Sequence, residues 1–186
     1  MPPRPVIAVF GSSTVQPGDA VYDLALRLGK EVAGAGADLM TGGYGGTMEA
    51  CSRGAHELGG HVVGVTVELF EARGPVNRWV RQREHTPDLY ERLRHLVERA
   101  DGFIVLPGSI GTLTELFLTW TLLSVGARPR AALVLLGEAW QPVLDAHARA
   151  GFISPDLFRH IQVTRDPAAA ARLALAGTAT AMRAGA

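Results

Sequence analysis

Short apolar runs alternate along the chain with longer stretches in which apolar residues recur every three or four positions. The short runs are rich in valine, isoleucine and leucine and end at glycine, which reads as strand; the longer period reads as helix. Strands are predicted at 6–11 (VIAVFG), 37–43 (ADLMTGG), 61–67 (HVVGVTV), 102–108 (GFIVLPG) and 131–137 (AALVLLG). Weaker strand patterns lie in WVRQREH (79–85) and IQVTR (161–165). Helices are predicted over 19–34, 47–59, 86–101, 111–125, 138–151 and 166–177, with a short one in SPDLFRHI. Thr86 reads as the N-cap of its helix, with Pro87 at the first position. Residues 68–79, ELFEARGPVNRW, read as a loop.

Strands that are apolar throughout and alternate with helices imply a parallel sheet covered on both faces. The expected fold class is therefore α/β: a Rossmann-like, doubly wound, mostly parallel sheet with helices on both faces. The 186 residues suit one domain, expected over 1–177, with 178–186 as a small-residue flexible tail.

Composition narrows the chemistry. The formal net charge is zero, so nothing electrostatic favours nucleic acid or an anionic membrane as partner. No apolar stretch is long enough to span a bilayer. The opening MPPRPVIAVFG has no signal-peptide anatomy, and a cytoplasmic protein is expected. Cys51 is the only cysteine, which excludes an internal disulfide and a cysteine-built metal cluster. The six histidines show no ligand-type spacing, and no metal is expected. Of 18 basic residues, 17 are arginine and only Lys30 is lysine. Schiff-base chemistry needs a lysine in the site, and Lys30 falls on the exposed side of the first helix, so such chemistry is not expected.

Ligands of open parallel sheets bind beyond the carboxyl ends of the strands. Three small-residue turns fall there: GSSTVQPGD (11–19, with Gly11 and Ser12), TGGYGGTME (41–49) and PGSIGTLTE (107–115). Glycines allow close backbone approach, and the helix start that follows offers unpaired N–H groups suited to a phosphate. Glu115 follows the third turn on an apolar helix. It reads either as a helix glutamate serving the dipole or as a functional carboxylate on a partly buried face. Arg92 stands among Glu91, Arg94, Glu98 and Arg99, a run that a solvated face would also show. Tyr44 reads equally as a base-stacking ring or a loop filler. Glu49 reads as a helix cap ahead of a ligand contact, Met48 and Cys51 as core, and Trp79 and Trp120 as packing or interface.

The segments GGYGGTMEA and PGSIGTLTELFLTW resemble the paired motifs of the LOG family of cytokinin riboside 5'-monophosphate phosphoribohydrolases, often mislabelled lysine decarboxylases. The second family motif, Pro-Gly-Gly-Xaa-Gly-Thr-Xaa-Xaa-Glu, is matched at Pro107, Gly108, Gly111, Thr112 and Glu115. The chain departs at Ser109, where the family has glycine. It departs again at Leu93, where the family has the lysine of an Arg-Lys pair whose arginine is Arg92. The resemblance runs from VIAVFGSS to AALVLLG. It implies that Arg92 and Glu115 are the catalytic pair. Gly108, Ser109, Gly111 and Thr112 would cradle a 5'-phosphate, with Thr119 near the ligand and Gly43, Gly45, Gly46 and Thr47 as the opposing wall. It further implies an AMP-like substrate, no cofactor, and a homodimer or larger homo-oligomer. The expected activity is hydrolysis of a purine ribotide, possibly N6-substituted, to free base and ribose 5-phosphate. The alternative is a non-catalytic nucleotide sensor, or a carrier of a phosphate-bearing cofactor such as molybdenum cofactor. A DNA-handling module is disfavoured by the neutral charge.

Overall fold

In the computed structural model, which describes residues 3–128 and 131–183, seven strands form one all-parallel sheet in the order β4-β3-β2-β1-β5-β6-β7. The strands are β1 Val6–Phe10, β2 Asp38–Thr41, β3 Val62–Val67, β4 Gln82–Thr86, β5 Gly102–Val105, β6 Ala132–Leu136 and β7 Ile161–Thr164. The helices are α1 Ala20–Gly34, α2 Thr47–Glu57, α3 Leu89–Arg99, α4 Ile110–Ser124, α5 Trp140–Ala150 and α6 Pro167–Arg183. The expected doubly wound α/β class is what the chain adopts.

Strand residues alternate between two cores. Ile7, Val9, Leu39, Ile104, Leu106, Val134 and Leu136 pack under α1, α2 and α6. Ala8, Phe10, Met40, Val63, Val65, Phe103, Val105, Leu133 and Leu135 pack under α3, α4 and α5. This is the period-2 geometry of a pleated strand buried on both faces. On α1 the buried residues Tyr22, Ala25, Leu28, Gly29 and Val32 form the single stripe of an amphipathic helix. Helix α4 differs: Thr112, Leu116, Thr119, Trp120 and Leu123 are buried, yet Leu113, Phe117, Leu118 and Leu122 are only partly covered and Ile110 is exposed.

Three local expectations are corrected. Thr86 ends β4 instead of capping α3; its hydroxyl donates to the Thr66 carbonyl at 2.8 Å. Asp88 is the cap, its carboxylate accepting the Glu91 N–H at 2.9 Å, and the helix starts beyond Pro87 at Leu89. Within the loop at 68–79, Glu68–Arg73 forms a 3₁₀ helix. At the C-terminus, α6 continues to Arg183, six residues into the stretch read as tail, and 184–186 lie outside the described residues. Among the described residues, no helix is long and apolar enough to cross a membrane.

The sheet order reverses between β1 and β5. Strands β2 to β4 extend to one side of β1, and β5 to β7 to the other. The crevice at such a switch point is where this architecture binds ligands.

Candidate active site

The three turns interlock at that switch point. The Ser12 N–H donates to the Pro107 carbonyl at 3.2 Å. The Ser12 carbonyl accepts from the Thr47 N–H at 2.8 Å and from the Thr47 hydroxyl at 3.0 Å. Two glycines are required by these close approaches. A Cβ on Gly108 would lie 2.1 Å from Thr112 Oγ1 and 2.9 Å from Ser12 N. A Cβ on Gly46 would lie 2.3 Å from Ser12 O, at a backbone φ of +68° that already favours glycine. Gly11 approaches Thr47 and Gly43 approaches Gly64 in the same way. At Gly11, Gly43, Gly46 and Gly108 the missing side chain makes room for neighbouring protein. Gly45 and Gly111 do face free space: a Cβ would meet nothing closer than 3.8 Å at Gly45 and nothing within 4 Å at Gly111.

Thr47 and Thr112 are buried beneath the turns. Thr119 is fully buried, its hydroxyl donating to the Glu115 carbonyl at 2.8 Å one helical turn back. Ser109 is exposed and extended, with φ −93° and ψ −161°, and its side chain makes no capping bond to α4. Serine therefore carries no backbone strain in place of the family glycine. The first N–H groups of α4 follow this uncapped residue, and such helix starts favour an anion.

Glu115 is the sixth residue of α4, beyond the first turn where the helix dipole acts strongly. Its side chain is half-buried. Burial pushes its pKa up to about 7, and the nearby positive charge of Arg92 pulls the other way without winning. Desolvation dominates, and the group is poised near neutrality. Perturbation of this size in a crevice marks a functional candidate.

Arg92 is not on a solvated face. It is 5% exposed, and its Nε–H donates to the Val65 carbonyl at 2.9 Å. Its neighbours Arg94 and Glu98 do form the solvated face, pairing with each other at 3.0 Å. The guanidinium lies over the rings of Phe70 and Tyr44, with its carbon 5.1 Å and 5.9 Å from their centroids. A Cβ at Gly42 would fall 1.9 Å from its Nη2. Gly42 and Phe70 were not singled out from sequence; only the pairing of Arg92 with an aromatic-glycine neighbourhood reveals them. Tyr44 is a pin, not a stacking platform: its hydroxyl donates to the Val67 carbonyl at 2.8 Å and accepts the Val67 N–H at 3.0 Å.

Of the remaining candidates, Cys51 is buried, its thiol donating to the Ala25 carbonyl and its pKa driven up by burial. Trp120 packs against Phe158 and donates to the Leu157 carbonyl at 3.0 Å. Trp79 packs against His56 and Arg78. Glu49 lies in the first turn of α2. Lys30, the one lysine, pairs with Glu57 at 2.9 Å on the α1–α2 surface. It is remote from the turns, so the chain does not offer the lysine that a Schiff-base decarboxylase requires.

The chain is similar to known proteins in sequence and in fold. A family model described as possible lysine decarboxylase matches residues 48–174. Cytokinin riboside 5'-monophosphate phosphoribohydrolase LOG3 of Arabidopsis thaliana is 31% identical over 154 residues, covering 80% of this chain and 72% of that protein. Its paralogue LOG1 is 32% identical over 163 residues, covering 85% and 76%. Among solved structures, the molybdenum cofactor binding protein of Rippkaea orientalis superposes with a TM-score of 0.70 at 21% identity, covering 99% of this chain and 98% of that one. That likeness speaks for the fold alone. From the matched family model, the two plant relatives and the motif residues gathered at one switch point, the chain belongs to the LOG family.

Proposed function

We propose that this chain hydrolyses the N-glycosidic bond of a purine nucleoside 5'-monophosphate, N6-substituted purines included, to free base and ribose 5-phosphate. The observation that carries the reading is a half-buried carboxylate, its pKa raised by desolvation, near a buried arginine and within two turns of the open start of α4. The relatives named as phosphoribohydrolases support it.

In this reading the 5'-phosphate sits on the N–H groups at the start of α4, against Gly111 and Ser109, with Gly45 opposite. Arg92 supplies a fixed, always-charged donor fork to the phosphate or the reacting ribose. The bond from C1' to the base nitrogen breaks with its electron pair leaving on the base. Positive charge develops on the ribose as in other glycosidic cleavages. Ionised Glu115 stabilises that charge and receives the proton of the water that adds to C1', and that proton passes on to the departing purine, which leaves as the neutral base. Incubation with AMP and with an N6-substituted AMP, followed by chromatography for free base, tests the reading. Release of base by the parent and a loss of about a hundredfold or more in Glu115→Gln sustain it. Absence of base from every purine monophosphate tried would sink it.

One observation favours a second reading. Leu93 stands where the family carries the lysine of its Arg-Lys pair, and the same fold occurs in a molybdenum cofactor binding protein. A sensor or carrier would bind a phosphate-bearing ligand and release no base from it.

We also propose a homo-oligomer, a homodimer at the least. The incomplete cover over Leu113, Phe117, Leu118 and Leu122 on α4 supports it, since a helix apolar on all sides is ordinarily buried.

A further inference from the structure

We propose that Phe70 and Tyr44 are positioning residues for Arg92, forming with Gly42 and the Val65 carbonyl a box that holds the guanidinium in one orientation. The functional part of this inference rests on Arg92 acting on the nucleotide. The positional part does not.

Arginine has a long side chain with several rotatable bonds, and its value in recognition depends on where its planar fork points. Here each side is fixed by a different part of the chain. From β3, the Val65 carbonyl takes the Nε–H at 2.9 Å, which sets the plane of the group. From the 3₁₀ helix that follows β3, the Phe70 ring covers one side at 5.1 Å. From the turn after β2, the Tyr44 ring approaches at 5.9 Å. The two rings meet edge-to-face, 6.2 Å apart and inclined at 78°, the arrangement aromatic quadrupoles prefer. Electron-rich faces also attract a cation that has been taken out of water. Gly42 closes the box by having no side chain, since any Cβ there would overlap the guanidinium.

The box is itself braced. Tyr44 is held at its hydroxyl by both backbone groups of Val67. The turn carrying it is tied down by Asn77, whose side-chain amide donates to the carbonyls of Gly43 and Tyr44 at 3.1 and 3.0 Å. Segment 68–79, loop-like in sequence, thus supplies both a wall of the box and the brace for the opposite wall. A guanidinium gripped in this way has its orientation set before ligand arrives, as an electrostatic stabiliser requires.

The primary test needs no ligand. In an arginine-selective proton–nitrogen NMR spectrum, the Arg92 Nε–H of the parent should be shifted by the two rings and exchange slowly with solvent. Arg92→Lys identifies the signal by its loss. Phe70→Leu, a change at a half-buried site, should move the signal toward those of the exposed arginines and speed its exchange. Tyr44→Phe keeps the ring, drops the clamp to Val67, and should give a smaller change of the same kind. Unfolding curves check that each variant is folded. The second arm measures AMP affinity and turnover in a double-mutant cycle. Phe70→Leu should weaken kcat/KM by about tenfold in the parent and add nothing to the affinity loss of Arg92→Ala. A merely structural phenylalanine would cost the same in both backgrounds. An Arg92 signal unchanged in folded Phe70→Leu, or losses that multiply in the cycle, overturns the proposal. A parent that neither binds nor cleaves AMP or an N6-substituted AMP overturns the proposed function instead, and leaves the NMR result to decide the box.

Discussion

Replacing Glu115 by glutamine should stabilise the protein, and by an amount that depends on pH. Burial raises the Glu115 pKa from its ordinary 4.5 to about 7 in the folded chain. Below pH 4.5 both folded and unfolded chains carry the proton, and the group is neutral in the balance. Between 4.5 and 7 the unfolded chain has lost the proton while the folded one keeps it. Stability then falls as pH rises, at about 1.4 kcal/mol per pH unit, and levels off above 7. The whole interval corresponds to roughly 3 kcal/mol, an upper bound because the side chain retains some solvent contact. Glutamine has nearly the same shape and never ionises. The stability of Glu115→Gln relative to the parent should therefore be small at pH 4.5 and grow to about 1–3 kcal/mol in favour of the variant by pH 8. Urea unfolding of both proteins at half-unit steps from pH 4.5 to 8.5 measures the difference, with equal m-values required for the comparison. A stability difference that is flat across this range, or that favours the parent at pH 8, refutes the assignment of a buried, proton-holding carboxylate. A carboxylate that destabilises the fold yet is kept is what an active group looks like when function and stability compete.

Other consequences can be checked with the same protein. The ionised form of Glu115 does the proposed chemistry, so kcat/KM for AMP should rise with pH through about 7 and then flatten; a profile flat from pH 6 to 8 would remove Glu115 from the rate-determining chemistry. Gly108→Ala should cost roughly 2–4 kcal/mol in urea unfolding because its Cβ meets Thr112 at 2.1 Å, whereas Gly111→Ala, with open space around it, should fold normally and weaken AMP binding. Ser109→Gly relieves no strain, so its unfolding midpoint should match the parent's within about 0.5 kcal/mol. Light scattering after size exclusion should give at least twice the 19.7 kDa chain mass, and Leu118→Glu on α4 should lower it; a monomeric parent would contradict the oligomer.

Most of the fold was legible because the strands are simple apolar runs of the right length and the helices carry a regular stripe. What sequence could not show was competition between neighbours. Thr86 has the chemistry of an N-cap, but strand pairing of β4 with β3 claims it first, and Asp88 caps the helix. The site was legible as three turns and two charged residues, because glycine-rich segments fall at predictable strand ends. At Gly46 and Gly108 the absence of a side chain is also required by neighbouring protein, which sequence could not show because it does not say what another turn brings close. Arg92 looked solvated because the residues adjacent in sequence are; only the helix phase against β3 buries it. Tyr44 and Phe70 gained their meaning from a side chain that reaches them from a different helix.

The reversal of strand order between β1 and β5 has a consequence for how the protein comes into being. Pairs β1–β2, β2–β3 and β3–β4 are each consecutive in sequence, so half of the sheet assembles from local steps. Strand β5 must instead return to β1, pairing Ile7 with Gly102, and Asp101 secures the Val6 N–H across 95 positions of chain. Such long-range closure is the slow kind of contact. The crevice does not exist until it is made, because Ser12 and Pro107 lie on opposite sides of the seam. A half-assembled chain can hold β1 to β4 and still offer a nucleotide nothing to bind. Under the proposed function, a nucleotide selects the fully closed sheet over every partly folded form, and its protection against proteolysis should require the β1–β5 pairing.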